Sequence, residues 1–173
     1  GVSASQVEIQ SGIQFYDGIT TAEIQEILIR SASDLISLDN PNYQYVAARL
    51  LLYSLRKSLY GRLWELPHLY DHITDCIEKD VYDADILVKY TREEIETLND
   101  VIDHGRDFIF TYAGLRQVAD KYLVQDRSSG KVYETPQFMY LLIAMTIFAD
   151  YPQETRLDYV TRYYTAISKH RIN

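Results

Sequence analysis

Residues 20–37 read TTAEIQEILIRSASDLIS, which is the pattern of a capped amphipathic helix. Thr20 and Glu23 have the spacing of a capping box, in which each side chain accepts a hydrogen bond from the other residue's backbone N–H. Behind them, apolar residues recur at helical spacing: Ile24, Ile27, Leu28 and Leu35. A helix over residues 21–37 with one apolar face needs neighbours that cover that face.

Two further helices are predicted, one before this helix in the chain and one after it. Ser3 and Gln6 again have capping-box spacing, which indicates a helix start near the beginning of the chain. A second apolar face extends over residues 43–60, and Gly61 then ends the run, as glycine commonly does just past a helix. Residues 3–60 are therefore predicted to form three helices joined by short turns.

A second block begins near residues 61–67 and is also mostly helical in its pattern. Thr91 and Glu94 form another capping-box pair. Residues 121–124 and 131–133 flank a polar turn and predict a small β-hairpin. Apolar periodicity and cap signals predict the helices of this block: residues 68–79, 92–104, 113–122, 137–149 and a last helix that starts within 150–153.

The expected fold class is therefore mainly α, a helical bundle with one small β-hairpin. Two domains are expected, a three-helix unit over residues 1–61 and a mostly helical unit over residues 62–173. The helix at 137–149 is apolar almost all round, so it is predicted to be the buried central helix of its block.

The composition excludes several classes of protein. Lys plus Arg number 17 and Asp plus Glu number 25, so the net charge is 17 − 25 = −8, which disfavours a general binder of nucleic acid or of an anionic membrane surface. A single cysteine, Cys76, excludes an internal disulfide and a multi-cysteine metal site.

The first residues lack the pattern of a signal peptide, and the most apolar window, residues 138–149, is shorter than the roughly 20 residues of a membrane span. A cytoplasmic protein is expected.

Few residue patterns in this chain could carry catalysis. His68 and His72 lie four apart on a predicted helix and could bind a metal ion from one face, but an ordinary amphipathic helix start is the simpler interpretation. His104 has acidic and basic neighbours, which fits a buried ion-pair cluster or a site. Cys76 on an apolar face is interpreted as a small core residue. No glycine-rich phosphate loop occurs, and we predict no catalytic residue and no metal ligand.

Two of the predicted helices carry a pattern suited to a nucleotide. Thr21 lies in the first turn of a capped helix, where free backbone N–H groups and the helix dipole favour an anion, and Gln25 follows one turn later. Tyr53 and Lys57 are also four residues apart and share a face. If the two helices are antiparallel neighbours, the four side chains could converge, with the ring against a base and the lysine against phosphate. From these residues alone, a surface lysine beside a half-buried tyrosine remains the simpler interpretation.

Longer segments of the chain resemble one known family, the large subunits of class I ribonucleotide reductase. The later part of the family's ATP-cone is similar to QVEIQSGIQFYDGITTAEIQEILIRSASDLIS (6–37) and PNYQYVAARLLLYSLRKSLYG (41–61). The helical N-terminal domain of the family is similar to LYDHITDCIEKDVYDADIL (69–87), IDHGRDFIFTYAGLRQVADKYLVQDRSSGKVYETPQFMYLLIAM (102–145) and PQETRLDYVTRYYTAISKHRI (152–172). Residues 1–61 would then be a partial ATP-cone.

The resemblance implies an allosteric part of an enzyme that reduces ribonucleoside diphosphates to deoxyribonucleotides. Its partners would be the remainder of the large subunit and a small, radical-bearing subunit, with no nucleic acid and no membrane. ATP and dATP would be its effectors. The family's catalytic cysteines lie in a ten-stranded α/β barrel that follows this region, and Cys76 matches none of them. We therefore expect this piece to be inactive by itself.

The family's nucleotide contacts carry over to few positions of this chain. Thr21 and Lys57 match positions that contact ATP or dATP in the cone, and Gln25 and Tyr53 fall where neighbouring ligands lie. The family's cone opens with a basic β-hairpin that this sequence does not include, so we expect the chain to bind neither effector tightly. Two alternatives stay open: a stand-alone helical interaction module without nucleotide function, and a small metalloenzyme that uses His68 and His72.

Overall fold

The computed structural model describes residues 1–171, and the chain in it forms two compact units. The first unit combines residues 1–63 with residues 107–122, and the second combines residues 64–106 with the chain from Leu123 onward. The predicted boundary at residue 61 stays a prediction about the family's domains. The unit found in the structure also takes in a later segment, which sequence order does not reveal. The last two residues of the predicted second domain, 172 and 173, lie outside the described residues.

The described part of the chain is mainly helical, as the sequence predicts. Its α-helices are α1 (Ala4–Gly12), α2 (Thr21–Asp34), α3 (Tyr43–Tyr60), α4 (Leu69–Glu78), α5 (Asp85–Lys89), α6 (Arg92–Val101), α7 (Tyr112–Lys121), α8 (Pro136–Ile147) and α9 (Gln153–Ser168), and a 3-10 helix spans His104–Ile109. The three helices expected before residue 61 are all present. The short α5 and the 3-10 helix were not predicted, because each spans too few residues to show a period.

In the first unit, α3 packs against both α2 and α7. Two pairings fix the direction of α2 against α3: the Gln25 side chain accepts a hydrogen bond from Ser54 at 3.3 Å, and Ala32 shares a core cluster with Ala47. Since the residue number falls along one helix as it rises along the other, the two helices are antiparallel neighbours. The core of this unit is Val7, Ala32, Tyr43 and Ala47, with Leu28, Leu35, Val46, Leu50 and Tyr112 packed against it.

The start of α1 differs from its prediction. Ser3 makes no side-chain cap; instead its backbone N–H donates to the Tyr43 hydroxyl at 2.9 Å. That hydroxyl in turn donates to the side-chain oxygen of Gln6. The predicted capping box of Ser3 and Gln6 is therefore wrong, because the Ser3 backbone N–H and the Gln6 side chain both hydrogen-bond to the buried Tyr43 hydroxyl instead.

In the second unit, α8 packs against α9, and α6 packs against both α4 and α9. Phe138 and Leu141 of α8 are fully buried, as expected for a central helix. Ile143 and Ile147 are 39% and 50% exposed, so the prediction that the whole helix is buried is wrong for that face.

The predicted β-hairpin reduces to a turn with one antiparallel bridge between Gln125 and Val132. The backbone carbonyl of Asp126 accepts the backbone N–H of Gly130 at 2.7 Å, and the backbone N–H of Asp126 donates to the Lys131 carbonyl at 2.8 Å. Gly130 has a φ of 72°, a left-handed conformation that glycine adopts without strain. No named strand occurs in residues 1–171, so the turn is confirmed while the paired strands are not.

The capping boxes of α2 and α6 are both present in the structure. We expect Thr91→Ala to lower the free energy of unfolding by about 1 kcal/mol, because the first turn of α6 loses a side-chain acceptor. Urea unfolding followed by circular dichroism would measure it. Thr97→Ala, an exposed threonine in the middle of the same helix, is the control and should not lower stability, because alanine is the better helix former. Equal losses in both variants would contradict the capping argument.

Candidate functional site

The candidate nucleotide face begins at the start of α2. Thr20 caps this helix: its hydroxyl accepts the backbone N–H of Glu23 at 3.2 Å, and the Glu23 carboxylate accepts the backbone N–H of Thr20 at 2.8 Å. Thr21 is exposed in the first turn and Gln25 is half-buried one turn later. The Gln25 side chain reaches α3 through its hydrogen bond with Ser54.

The other half of the face is the last part of α3. The Tyr53 ring is half-buried and meets the Phe108 ring edge-on, with centroids 6.3 Å apart and planes at 71°. Lys57 lies exposed in the last turn of α3, where a cation is favourable to the helix dipole. Gly61 closes the helix with a φ of 68°.

The antiparallel arrangement confirms the geometric condition set by the sequence. The pairing of Gln25 with Ser54 places the first turn of α2 beside the last turns of α3, so Thr21 and Lys57 lie at the same end of this helix pair. A direct contact between the two helices runs through Gln25. That Thr21, Gln25, Tyr53 and Lys57 bind one nucleotide stays a prediction.

A charged carboxylate lies in the first turn of α2. The Tyr16 hydroxyl donates to Glu23 at 2.9 Å. Hydrogen bonds from the Thr20 hydroxyl and backbone, and then from Tyr16, lower the pKa of Glu23, so this carboxylate is charged at neutral pH. A shallow surface groove on the same helix is lined by Tyr16, Ala22, Glu23, Glu26, Ile27 and Arg30. By helical periodicity, Glu23 and this groove lie on the side of α2 away from Thr21 and Gln25.

His68 and His72 contact different residues in the structure. His68 Nδ1 accepts the backbone N–H of Tyr70 at 3.3 Å, and its Nε2 lies 2.9 Å from a carboxylate oxygen of Glu96. His72 is buried inside the second unit. Within residues 1–171, no group of three or more His, Cys, Asp or Glu side chains is placed to hold a metal ion.

His72 belongs to a buried polar cluster that the sequence did not reveal. Its ring stacks on Phe138 with centroids 3.9 Å apart, and its Nε2 lies 2.9 Å from the Tyr82 hydroxyl. That hydroxyl donates to Glu134, whose other oxygen accepts the backbone N–H of Val124 at 2.8 Å. Burial lowers the pKa of His72 to about 3 and raises that of Glu134. The imidazole is therefore neutral at pH 7, with a hydrogen on one of its two ring nitrogens.

Cys76 is a core residue, as predicted. It is 1% exposed, and its thiol donates weakly to the Tyr133 carbonyl at 3.7 Å. Burial raises the pKa of this thiol to about 12. A nucleophilic cysteine needs the thiolate form at neutral pH, so this environment is unsuited to one.

The neighbours of His104 form structural ion pairs. Arg106 lies 3.3 Å from the Asp103 carboxylate and donates to the Ser168 hydroxyl at 2.6 Å. Asp107 pairs with Arg56 at 3.0 Å in the first unit. These pairs do not form one buried cluster around His104, so both interpretations of this residue stay predictions.

Comparison with known proteins bears directly on these units. The protein family described as "Ribonucleotide reductase, all-alpha domain" matches residues 108–173. Over nearly the whole chain, the sequence is also similar to the ribonucleoside-diphosphate reductase subunit alpha of Haemophilus influenzae, at 51% identity over 172 residues, 99% of this chain and 23% of that protein. Ribonucleoside-diphosphate reductase 1 subunit alpha of Escherichia coli is 51% identical over 99% of this chain and 22% of its own length. The enterobacteria phage T4 alpha subunit is 44% identical over 100% of this chain and 23% of its own length.

These matches confirm the resemblance drawn from the sequence. Residues 108–173 match the family described as the ribonucleotide reductase all-alpha domain. It is similar throughout to a part of reductase alpha, or large, subunits and spans less than a quarter of the length of these relatives. No helix within residues 1–171 is both long and apolar enough to cross a membrane.

Proposed function

We propose that this chain is the N-terminal part of the large subunit of a cytoplasmic class I ribonucleotide reductase. In this proposal the whole enzyme reduces ribonucleoside diphosphates to deoxyribonucleoside diphosphates and so supplies DNA replication. The present segment senses ATP and dATP and contacts other parts of the enzyme, and segments outside this sequence carry the chemistry. The observation that carries the proposal is identity of about one residue in two over 99% of the chain to reductase alpha subunits.

The effector site that we propose lies on the face shared by α2 and α3. Lys57 supplies a positive charge for the phosphates, and the start of α2 at Thr21 adds backbone donors that suit an anion. Tyr53 offers a ring face to the base, and Gln25 offers an amide. The support is geometric, because the antiparallel packing puts these residues on neighbouring turns.

We propose weak binding of either nucleotide by this chain. A triphosphate carries several negative charges, whereas Lys57 is the one cationic side chain among the four residues of the proposed site. The chain as a whole has a net charge of −8, which adds a repulsive background.

An allosteric role requires that ATP and dATP favour different states of the enzyme. A ligand shifts such an equilibrium only by its difference in affinity for the two states. The partners that we propose are the remainder of the large subunit and the small radical-bearing subunit. An exposed aromatic cluster supports a contact of this kind in the second unit, since Tyr151 and Tyr159 are 43% and 40% exposed and both pack against Phe148.

Nuclear magnetic resonance can test the effector site even if affinity is low. On titration of the ¹⁵N-labelled chain with MgATP to several millimolar, we expect the largest amide shifts at Thr21–Gln25 and Tyr53–Lys57. Lys57→Met should weaken binding by about tenfold, since hydrogen bonds to charged groups contribute about 1.5–3 kcal/mol.

Lys121→Met is the matched control, because it removes an exposed lysine from the last turn of α7 in the same unit. It should leave the MgATP affinity unchanged. Shifts spread evenly over the surface, or absent from both segments, would contradict the proposed site. The wider proposal fails if this chain alone reduces a ribonucleoside diphosphate.

A further inference from the structure

The Tyr53 ring is held by a residue far away in sequence. Phe108 is 55 positions further along the chain, yet its ring meets Tyr53 in an edge-to-face contact. Aromatic pairs prefer edge-to-face or offset-stacked arrangements, so this contact limits the orientations open to the Tyr53 ring. Phe108 is also the first residue of the segment that matches the reductase all-alpha family, so this contact joins that family's sequence to the candidate nucleotide face.

Phe108 is in turn anchored by a buried charge. The Arg56 guanidinium lies 5.3 Å from the centroid of the Phe108 ring and pairs with Asp107 at 3.0 Å. A second donated hydrogen bond, at 3.3 Å, goes to the Leu63 carbonyl. Arg56 and Asp107 are each 2% exposed, so this pair is screened little by solvent or salt. One guanidinium thus fixes the end of α3 and the segment that carries Phe108.

We propose that Phe108, anchored by the Arg56–Asp107 ion pair, is a positioning residue of the nucleotide site: it holds the Tyr53 ring in the orientation that receives the base. This inference rests on the proposed nucleotide function of the face. A half-exposed tyrosine on a helix surface would otherwise populate several rotamers, and binding would have to select one of them at an entropic cost. Phe108 removes part of that cost before the nucleotide arrives.

The proposal separates the base from the phosphates. Phe108 touches Tyr53, which faces the base, whereas Lys57 serves the phosphates. A change at Phe108 should therefore weaken the binding of ATP and spare the binding of inorganic tripolyphosphate. A change at Lys57 should weaken both ligands.

The test compares variants of the 173-residue chain by amide-shift titration with MgATP and with magnesium tripolyphosphate. We expect Phe108→Leu, which keeps an apolar side chain without a ring, to weaken MgATP binding by about three- to tenfold, the range that one aromatic contact supports. Its tripolyphosphate affinity should stay within about twofold of the unchanged chain, because Lys57 is intact. Phe108→Tyr keeps the ring and should restore the MgATP affinity.

Tyr43→Phe controls for a general loss of stability. It removes the hydroxyl that binds Ser3 and Gln6, and it lies on α3 ten residues before Tyr53, about 15 Å along the helix. Its MgATP affinity should be unchanged even though its unfolding midpoint falls.

The outcomes separate the inference from the function on which it depends. Normal MgATP binding by Phe108→Leu overturns the positioning role and leaves the proposed function standing. Equal weakening of MgATP and tripolyphosphate also overturns it, because the site as a whole is then damaged. If the unchanged chain shows no MgATP shifts at Tyr53–Lys57, the proposed function fails and the positioning role fails with it.

Discussion

Replacing Arg156 with methionine should lower the free energy of unfolding by about 3–5 kcal/mol, as measured by urea denaturation. The reason is that the buried carboxylate of Glu94 loses its charged partner. Arg156 donates twice to Glu94, at 2.8 and 2.5 Å. Its guanidinium also lies 4.5 Å from the Tyr90 ring centroid. Both charged residues are less than a tenth exposed. Such a loss is a large fraction of the stability of an ordinary domain, about 5–15 kcal/mol.

Arg162→Met is the matched control, because it removes the same residue type from the same helix. Arg162 lies 3.4 Å from Asp158 in an exposed pair with side chains about 70% accessible. Pairs of this kind contribute little, so the unfolding midpoint should barely change. A similar loss in both variants would show that the burial of Arg156 does not matter.

The Arg156 effect should also depend on pH. Hydrogen bonding from Arg156 lowers the pKa of Glu94 below its ordinary value of 4.5. The stability that this carboxylate contributes is therefore present above pH 4.5 and is lost as the pH falls through its lowered, folded-state pKa. The difference in unfolding free energy between the unchanged chain and Arg156→Met should therefore become smaller as the pH falls through that acidic range.

The second large effect is expected at Asp107. Asp107→Ala leaves the Arg56 guanidinium buried without its carboxylate partner, which should cost about 3–5 kcal/mol of unfolding free energy. The loss should fall on the first unit, because both residues lie there. Amide hydrogen exchange can localise it: protection should fall for residues of α3 and α7.

Asp120→Ala serves as the control for this change. Asp120 is an exposed carboxylate on α7, 3.9 Å from Arg116, and its removal should leave the exchange rates of the first unit nearly unchanged. Unaltered protection in Asp107→Ala would show that the buried pair contributes nothing to this unit.

Sequence patterns predicted the helices well where the signals are local. The boxes at Thr20–Glu23 and Thr91–Glu94 use residues three positions apart, and both form. The same spacing failed at Ser3 because Tyr43, distant in sequence, supplies a better partner. The paired strands expected around the polar turn are not confirmed, because the structure shows a single antiparallel bridge between Gln125 and Val132.

The candidate site was predictable only in part. Spacing of four residues put Thr21 with Gln25 and Tyr53 with Lys57, and antiparallel packing then brought the two faces to one end of the helix pair. Phe108 carries no signal in its own neighbourhood, since it meets Tyr53 across 55 residues of chain. The polar cluster around His72 could not be predicted from the sequence for the same reason, because Tyr82 and Glu134, which hydrogen-bond in it, are 52 residues apart.

The composition of the first unit has a consequence for how it forms during translation. α7 packs on α3, but residues 61–111 separate the two helices in sequence, and 64–106 of these belong to the second unit. When α3 has just left the ribosome, the helix that packs against it in this unit has therefore not yet been released. This unit can close only after residue 122 has emerged, so it forms late in the synthesis of this segment. Any shortened version intended to keep this unit folded has to retain residues 107–122.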